Sequence, residues 1–235
     1  MKFIIIAGTP GSGKTSTIVH VIKELLSIKK LPSVIKIDCL WTEDDKRIKR
    51  LNVPIKVGLS KDMCPDHFFI YNIESMFEWA KKNNSDVLLV ETAGLCLRCA
   101  PYTKESLSIC VIDVTSGPNT PLKIGPLLTD ADIVVTTKGD MVSQAEREVF
   151  RERIMEANPS CSIIESNGIT GKGSYELLHK ILKSSDFYDF KKDMVLRCNP
   201  PFSICTLCAG EKKIGKDYHR GILRNMEDFN KYIGE

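Results

Sequence analysis

The residues with the most chemistry in their order are Gly8-Thr9-Pro10-Gly11-Ser12-Gly13-Lys14-Thr15, followed by Ser16. They match the pattern G-x-x-x-x-G-K-[ST], and they stand between an apolar run at 2–7 and a stretch with helical spacing at 15–28. That strand–loop–helix setting is what a phosphate-binding loop requires. Its glycines let backbone N–H groups wrap around phosphate oxygens, and the helix N-terminus adds positive potential. Lys14 is expected to reach the β- and γ-phosphates of a nucleotide, and Thr15 to hold Mg²⁺ through its hydroxyl.

Thr137-Lys138-Gly139-Asp140 follows an apolar strand pattern and matches [NT]-K-x-D, a guanine-reading loop. An aspartate at its end accepts from the N1 and N2 hydrogens of guanine, which adenine lacks, so the wrong base leaves the carboxylate unpaired. Ser166-Asn167-Gly168, after the last strand pattern, is placed for a second base-contacting loop. Glu91-Thr92-Ala93-Gly94 ends another strand and reads as a D-x-x-G switch with Glu for Asp. Glu91 is expected to hold Mg²⁺ directly or through water, and the Gly94 N–H to sense the γ-phosphate. Asp38, at the end of a strand, and Asp45, in an acidic run, are further candidates for the magnesium shell. Lys14, Asp38 and Glu91 are the residues expected to carry catalysis. No strong general base is visible, so a water aligned between two subunits is the expected device.

The chain has nine cysteines, an odd number, which argues against a complete set of disulfides and for metal or redox chemistry in a cytoplasmic protein. Cys64 and His67 lie in Cys-Pro-Asp-His, and a thiolate with an imidazole suits Zn²⁺ or Ni²⁺. Two ligands are too few for a closed site; a symmetric dimer would supply four. Cys96 and Cys99 form a C-x-x-C directly after the switch glycine, placed to chelate a soft metal or to serve a [4Fe–4S] cluster. Cys198, Cys205 and Cys208 form C-x6-C-x2-C, one thiolate short of a closed site. The fourth ligand is open between Cys96, Cys99, His219 and an outside group. The favoured reading folds this tail over the switch and pools its thiols with Cys96 and Cys99. Cys39, Cys110 and Cys161 fall in or beside strand patterns and read as packing residues.

The elements that must position these groups alternate. Strand patterns lie at 2–7, 86–91, 107–114 and 132–136, with weaker ones at 33–38 and 161–165; helical patterns lie at 15–28, 73–82, 143–157 and 174–182. Short continuous apolar strands alternating with helices give an α/β class with a mainly parallel sheet flanked by helices. The alternation stops near Ser184, which divides the chain into 1–183 and a cysteine-bearing extension, 184–235, expected to pack on the core. The 235 residues suffice for one sizeable core. Lys+Arg number 33 against Asp+Glu 30, a net charge of +3, too small to argue for nucleic acid. No apolar run reaches the roughly 18–20 residues of a membrane span. The apolar start is too short for a signal peptide and runs straight into a glycine-rich loop, so a buried strand is expected there.

With these motifs in order, the chain resembles the metallochaperone GTPases that mature hydrogenase and urease, the HypB/UreG type of the SIMIBI class of P-loop NTPases. The resemblance runs from about residue 2 to 183. It is carried by residues 8–15, Asp38 through Asp45, Cys64-Pro65-Asp66-His67, Val90 through Gly94, Val111 through Gly117 and Thr137 through Asp140, with Pro121-Leu122-Lys123-Ile124-Gly125-Pro126 between the last two. It implies slow GTP hydrolysis coupled to nucleotide-dependent homodimerisation and to delivery of a metal to a client enzyme or its accessory proteins. The sequence departs from the family's pattern in the inserted Asp66, in Thr137 where Asn is usual, and in the tail after Ser184. A second reading is a nucleotide-driven iron–sulfur protein that passes electrons to a partner metalloenzyme. A small-molecule kinase is disfavoured by the guanine loop.

Overall fold

The computed structural model describes residues 1–94, 96, 99–187, 190, 194–199, 211–218 and 223–226. Seven parallel strands form one sheet in the order β3-β2-β4-β1-β5-β6-β7. They are β1 (Lys2–Ala7), β2 (Pro32–Asp38), β3 (Ile55–Leu59), β4 (Val87–Glu91), β5 (Leu107–Asp113), β6 (Ile133–Thr137) and β7 (Ser162–Glu165). The helices between them are α1 (Lys14–Ser27), α2 (Asp44–Lys49), α3 (Pro65–Lys82), α4 (Pro126–Thr129), α5 (Gln144–Ala157) and α6 (Ser174–Lys183). This is the P-loop NTPase architecture. Among the described residues no helix is long and apolar enough to cross a membrane.

Strand alternation divides the core. Phe3, Ile5 and Ala7 face a layer containing α3 residues Phe69, Ile73 and Phe77 together with Phe150 of α5. Ile4 and Ile6 face Ile18, Ile22 and Leu25 of α1 and Leu178 and Ile181 of α6. Successive strand residues point to opposite faces, so a strand apolar at every position is buried on both sides. That parity also places the polar residues. Lys36 follows Val34 onto the α1 face, Glu91 follows Leu89 onto the same face, and the two are register partners across β2 and β4.

Four elements differ from expectation. The edge strand β3 has no counterpart among the expected strands, and the short α2 and α4 have none among the expected helices. Helix α3 begins at Pro65, two turns before the expected 73, with Pro65 in its first turn. Proline is preorganised for that position. Helix α5 is closed by a capping box in which Ser143 and Glu146 satisfy each other's backbone N–H groups.

Described parts of the extension join the same core: Phe187, Met194, Leu196, Ile214 and Met226 are buried in the layer with α3. Arg197 fastens this segment. Its guanidinium donates to both carboxylate oxygens of Asp132 at 2.8 Å and to the carbonyls of Thr103, Ser106 and Asp130. Farther along, the buried Asn72 side chain donates to Arg224 O and accepts from the Met226 N–H, and Arg224 pairs with Asp62. A 3-10 turn lies at Lys216–Tyr218; most of the chain beyond it lies outside the described residues.

Candidate nucleotide and metal sites

The loop between β1 and α1 sits at the carboxyl edge of the sheet. Gly8 has φ +146°, and a Cβ there would lie 2.1 Å from Val111 O, so the loop can leave β1 only at a glycine. Pro10, Gly11, Gly13, Lys14 and Ser16 line a cavity of about 360 Å³. Lys14 Nζ donates to Gly8 O at 2.8 Å and Thr9 O at 3.1 Å. Burial pulls its pKa below the ordinary lysine value, with nearby Lys36 pulling the same way and Glu91 opposing. A buried ammonium whose hydrogen-bond partners among the described residues are carbonyls, at the mouth of a cavity, is suited to receive phosphate oxygens.

The wall opposite Lys14 is acidic. Thr15 Oγ1 lies 2.8 Å from Glu91 Oε1 and 3.0 Å from Asp44 Oδ2. Glu91 is 1% exposed, and its second oxygen has no hydrogen-bond partner among the described residues. Asp38 lines the same cavity. A hydroxyl, a buried carboxylate with a spare oxygen and two more carboxylates form an all-oxygen set, which fits a hard cation such as Mg²⁺. Asp45 is not part of it. It is buried and pairs with Lys49 at 2.6 Å, while its neighbour Asp44 faces Thr15. Adjacent helical residues diverge by about 100°, so only one of the two can face the cavity. The Asp45–Lys49 spacing of four was the available signal.

Two cations join this wall without having been expected from the sequence. Lys36 Nζ lies 2.6 Å from Glu91, 3.1 Å from Asp44 and 4.0 Å from Asp38. Arg47, one turn after Asp44, donates to Ser16 Oγ at 3.1 Å and lines the cavity.

Gly94 closes the far side. Its φ is +72°, and a Cβ on it would lie 1.7 Å from Gly8 O and 3.2 Å from Lys14 Nζ. The glycine expected to act as a switch therefore rests directly on the phosphate loop, beside the Lys14 ammonium.

The base loop is tied to the phosphate loop by Thr137. Its hydroxyl lies 2.6 Å from Ser12 O and 3.3 Å from Ile112 O. Lys138 pairs with Asp113 at the end of β5. Asp140 is exposed and accepts from Asn167 Nδ2 at 3.0 Å. The Asn167 carbonyl oxygen is committed to the N–H groups of Ile169 and Thr170, which turns its amide towards Asp140. Ser166 follows β7 with its N–H on Thr136 O, and a Cβ on Gly168 would lie 3.0 Å from Ser16 Cβ. The residues expected to read a base thus converge beside the start of α1.

The thiols gather at the other end of the switch. Cys99 Sγ lies 3.5 Å from Cys96 Sγ and 3.4 Å from Asp66 Oδ2, and these three ligand atoms fall within 4.8 Å of one another. Asp66, in the first turn of α3, is buried; desolvation raises its carboxyl to about 6. Burial and the nearby Asp66 charge push the Cys64 thiol to about 12 and hold Cys99 protonated as well. Cys64 caps the same helix. His67 is not one of the three grouped ligands; Asp66, the inserted residue, takes that place, and burial lowers the His67 pKa. Cys198 donates to Ala100 O at 3.4 Å, next to Cys99 in the chain. Cys205, Cys208 and His219 lie outside the described residues. Cys110 is fully buried, and Cys39 and Cys161 are half-buried.

An uncharacterized protein of Methanocaldococcus jannaschii is 61% identical over 235 residues, the full length of both chains. The urease accessory protein UreG of Edwardsiella ictaluri is 33% identical over 201 residues, covering 78% of this chain and 95% of UreG. The fold is shared with the hydrogenase maturation factor HypB of Archaeoglobus fulgidus, at TM-score 0.60 and 22% identity over 77% of this chain and 89% of that one. It is shared too with the Helicobacter pylori HypB solved in complex with nickel, at TM-score 0.61 and 20% identity over 81% of this chain and 92% of that one. The sequence pattern of the nucleotide-binding domain of CobW, HypB and UreG matches residues 2–165. The chain belongs to the CobW/HypB/UreG family of nucleotide-binding domains.

Proposed function

We propose that the protein binds and hydrolyses GTP and couples its nucleotide state to the capture and release of a soft metal ion, Ni²⁺ or Zn²⁺, for a client metalloenzyme or its accessory proteins. The observation that carries this reading is the short connection between two chemistries. Glu91 and Gly94 touch the phosphate loop, and Cys96 and Cys99 follow within five residues of Gly94. A γ-phosphate that moves Gly94 must move the peptide leading to both sulfurs.

In the reading, Lys14 turns from the Gly8 and Thr9 carbonyls to the β- and γ-phosphates, and Thr15 with Glu91, Asp44 and Asp38 forms the oxygen shell for Mg²⁺. Bound Mg²⁺ supplies charge neutralisation of the phosphates. Asp140, oriented by Asn167, accepts from the guanine edge. Arg47, on the cavity rim, adds a second positive group against the phosphates. The thiol cluster holds the cargo through Cys96, Cys99 and Asp66, and Cys64 and Cys198, which lie outside that group of three, are the further thiols of this reading. A nucleotide-dependent homodimer would bring two such clusters together and align the attacking water.

The test is nucleotide binding by the intact chain. GTP should bind at least about a hundredfold more tightly than ATP, and Lys14→Ala should abolish binding. Equal affinity for the two nucleotides would remove the guanine reading, and normal GTP binding by Lys14→Ala would remove the site.

A further inference from the structure

Lys36 stands where a lysine has no packing reason to be. It lies in β2 between Ile35 and Ile37, it is 4% exposed, and its register partner across the sheet is Glu91. Its ammonium is bonded to Glu91 Oε1 and Asp44 Oδ2, the same two oxygens that Thr15 Oγ1 contacts. The cation and the hydroxyl therefore share the two carboxylate oxygens best placed to serve Mg²⁺. Burial would drive the Lys36 ammonium to lose its proton, but the charges and hydrogen bonds of Glu91 and Asp44 outweigh burial and keep it charged. Asp44 is in turn held below the usual carboxylate range by Lys36, against the effect of its own burial.

We propose that Lys36 is a built-in monovalent occupant of the magnesium position: it neutralises the carboxylates while no nucleotide is bound, and Mg²⁺ must displace its ammonium from Glu91 and Asp44. The inference rests on the nucleotide reading above and adds to it a residue that sets how strongly metal and nucleotide binding are linked. Without an internal cation, Glu91, Asp44 and Asp38 would be three carboxylates around one small space, and the nucleotide-free site would collect divalent ions by itself. With the ammonium in place the pocket stays organised yet has little call for a free cation. Asp38, 4.0 Å from Nζ in the present arrangement, has two carboxylate oxygens, so one can face a displaced Lys36 while the other faces the cation. The linkage is reciprocal: the factor by which bound nucleotide tightens Mg²⁺ equals the factor by which Mg²⁺ tightens nucleotide, and an internal cation that holds Mg²⁺ off the nucleotide-free site raises that factor.

The experiment titrates Mn²⁺, as a paramagnetic probe of the magnesium position, into nucleotide-free protein and follows free Mn²⁺ by electron paramagnetic resonance. Wild type, Lys36→Gln and Lys36→Met are compared, and GTP affinity is measured for each with Mg²⁺ and with EDTA. Both variants should take up Mn²⁺ at least about tenfold more tightly than wild type without nucleotide, and the ratio of the two GTP affinities should fall, because metal no longer waits for the nucleotide. Unchanged or weaker Mn²⁺ uptake in folded variants overturns the proposal. Should neither variant fold, wild type decides: millimolar Mn²⁺ uptake without nucleotide agrees with an internal occupant, and micromolar uptake contradicts it. Failure of wild type to bind GTP would instead strike the nucleotide reading, and the nucleotide-free Mn²⁺ titration would still decide the role of Lys36.

Discussion

Thr15 and Glu91 meet at 2.8 Å across the carboxyl edge of the sheet, and this contact joins the phosphate-loop helix to the last residue of β4. Three residues beyond Glu91 the chain turns back onto Gly8, and two residues beyond that it reaches the first sulfur of the thiol cluster. One short peptide therefore touches the phosphate loop and holds Cys96 and Cys99.

Glu91→Gln keeps the size of the side chain and removes its charge. Its buried carboxylate no longer serves a cation, and Lys36 loses its nearest counter-charge. GTP hydrolysis should fall about a hundredfold or more, read as kcat in single turnover, while GTP remains bound. A rate within a factor of two of wild type would exclude Glu91 from the magnesium shell.

Asp140→Asn should move the preference from GTP towards XTP. Xanthine carries a carbonyl where guanine carries an amino group, so it can accept from an amide. Competition between the two nucleotides for the variant reads this directly. Retained GTP preference would mean that another group reads the base.

Arg197→Ala should destabilise the whole domain, although Arg197 lies outside the expected core of 1–183. Its guanidinium makes five hydrogen bonds, two of them to Asp132, that anchor the segment carrying Met194 and Leu196. Loss of about 3 kcal/mol is expected in denaturant unfolding, with one cooperative transition. A separate early transition would show that the extension unfolds independently of the core.

Zinc binding should depend steeply on pH. The Cys64 thiol, at about 12 against an ordinary 9.0, and the protonated Cys99 must each lose a proton to become a ligand. Affinity should then rise about a hundredfold per pH unit between pH 7 and 8 if two thiols bind. Below about 6, where Asp66 also carries a proton, the slope should steepen. In the metal-free protein the sign for Asp66 is reversed from that of an ordinary paired carboxylate. Its folded pKa is raised, so its contribution to stability is present at acid pH and is lost as pH rises through about 6. Asp66→Asn should accordingly stabilise the metal-free protein at pH 8 and leave it unchanged near pH 3.5, as read by thermal unfolding at the two pH values.

The phosphate loop, the parallel sheet and the helices α1, α5 and α6 were legible because periodicity and motif agreed locally. The edge strand β3 was not, since Ile55-Lys56-Val57-Gly58-Leu59 mixes a charge and a glycine into a short run. The first turns of α3 were hidden because Cys64-Pro65-Asp66-His67 reads as a loop motif, whereas proline is at home in a helix's first turn. The choice of Asp44 over Asp45 depended on helical phase, which a run of adjacent acids obscures. Lys36 was visible as a charge within an apolar strand, but its meaning required the register that sets it beside Glu91. Asp66 became a metal-ligand candidate only through its proximity to Cys96 and Cys99, about thirty residues on in the chain, and the partners of Arg197 lie more than sixty residues away. Such long-range facts leave no local pattern.

The most direct test of the central claim is the zinc affinity of the intact protein, measured by competition with a chromophoric chelator, in complex with a non-hydrolysable GTP analogue and again with GDP. The account predicts affinities that differ by at least about tenfold between the two states, with the difference lost in a Cys96→Ser, Cys99→Ser variant. Equal affinities in the two nucleotide states would contradict it.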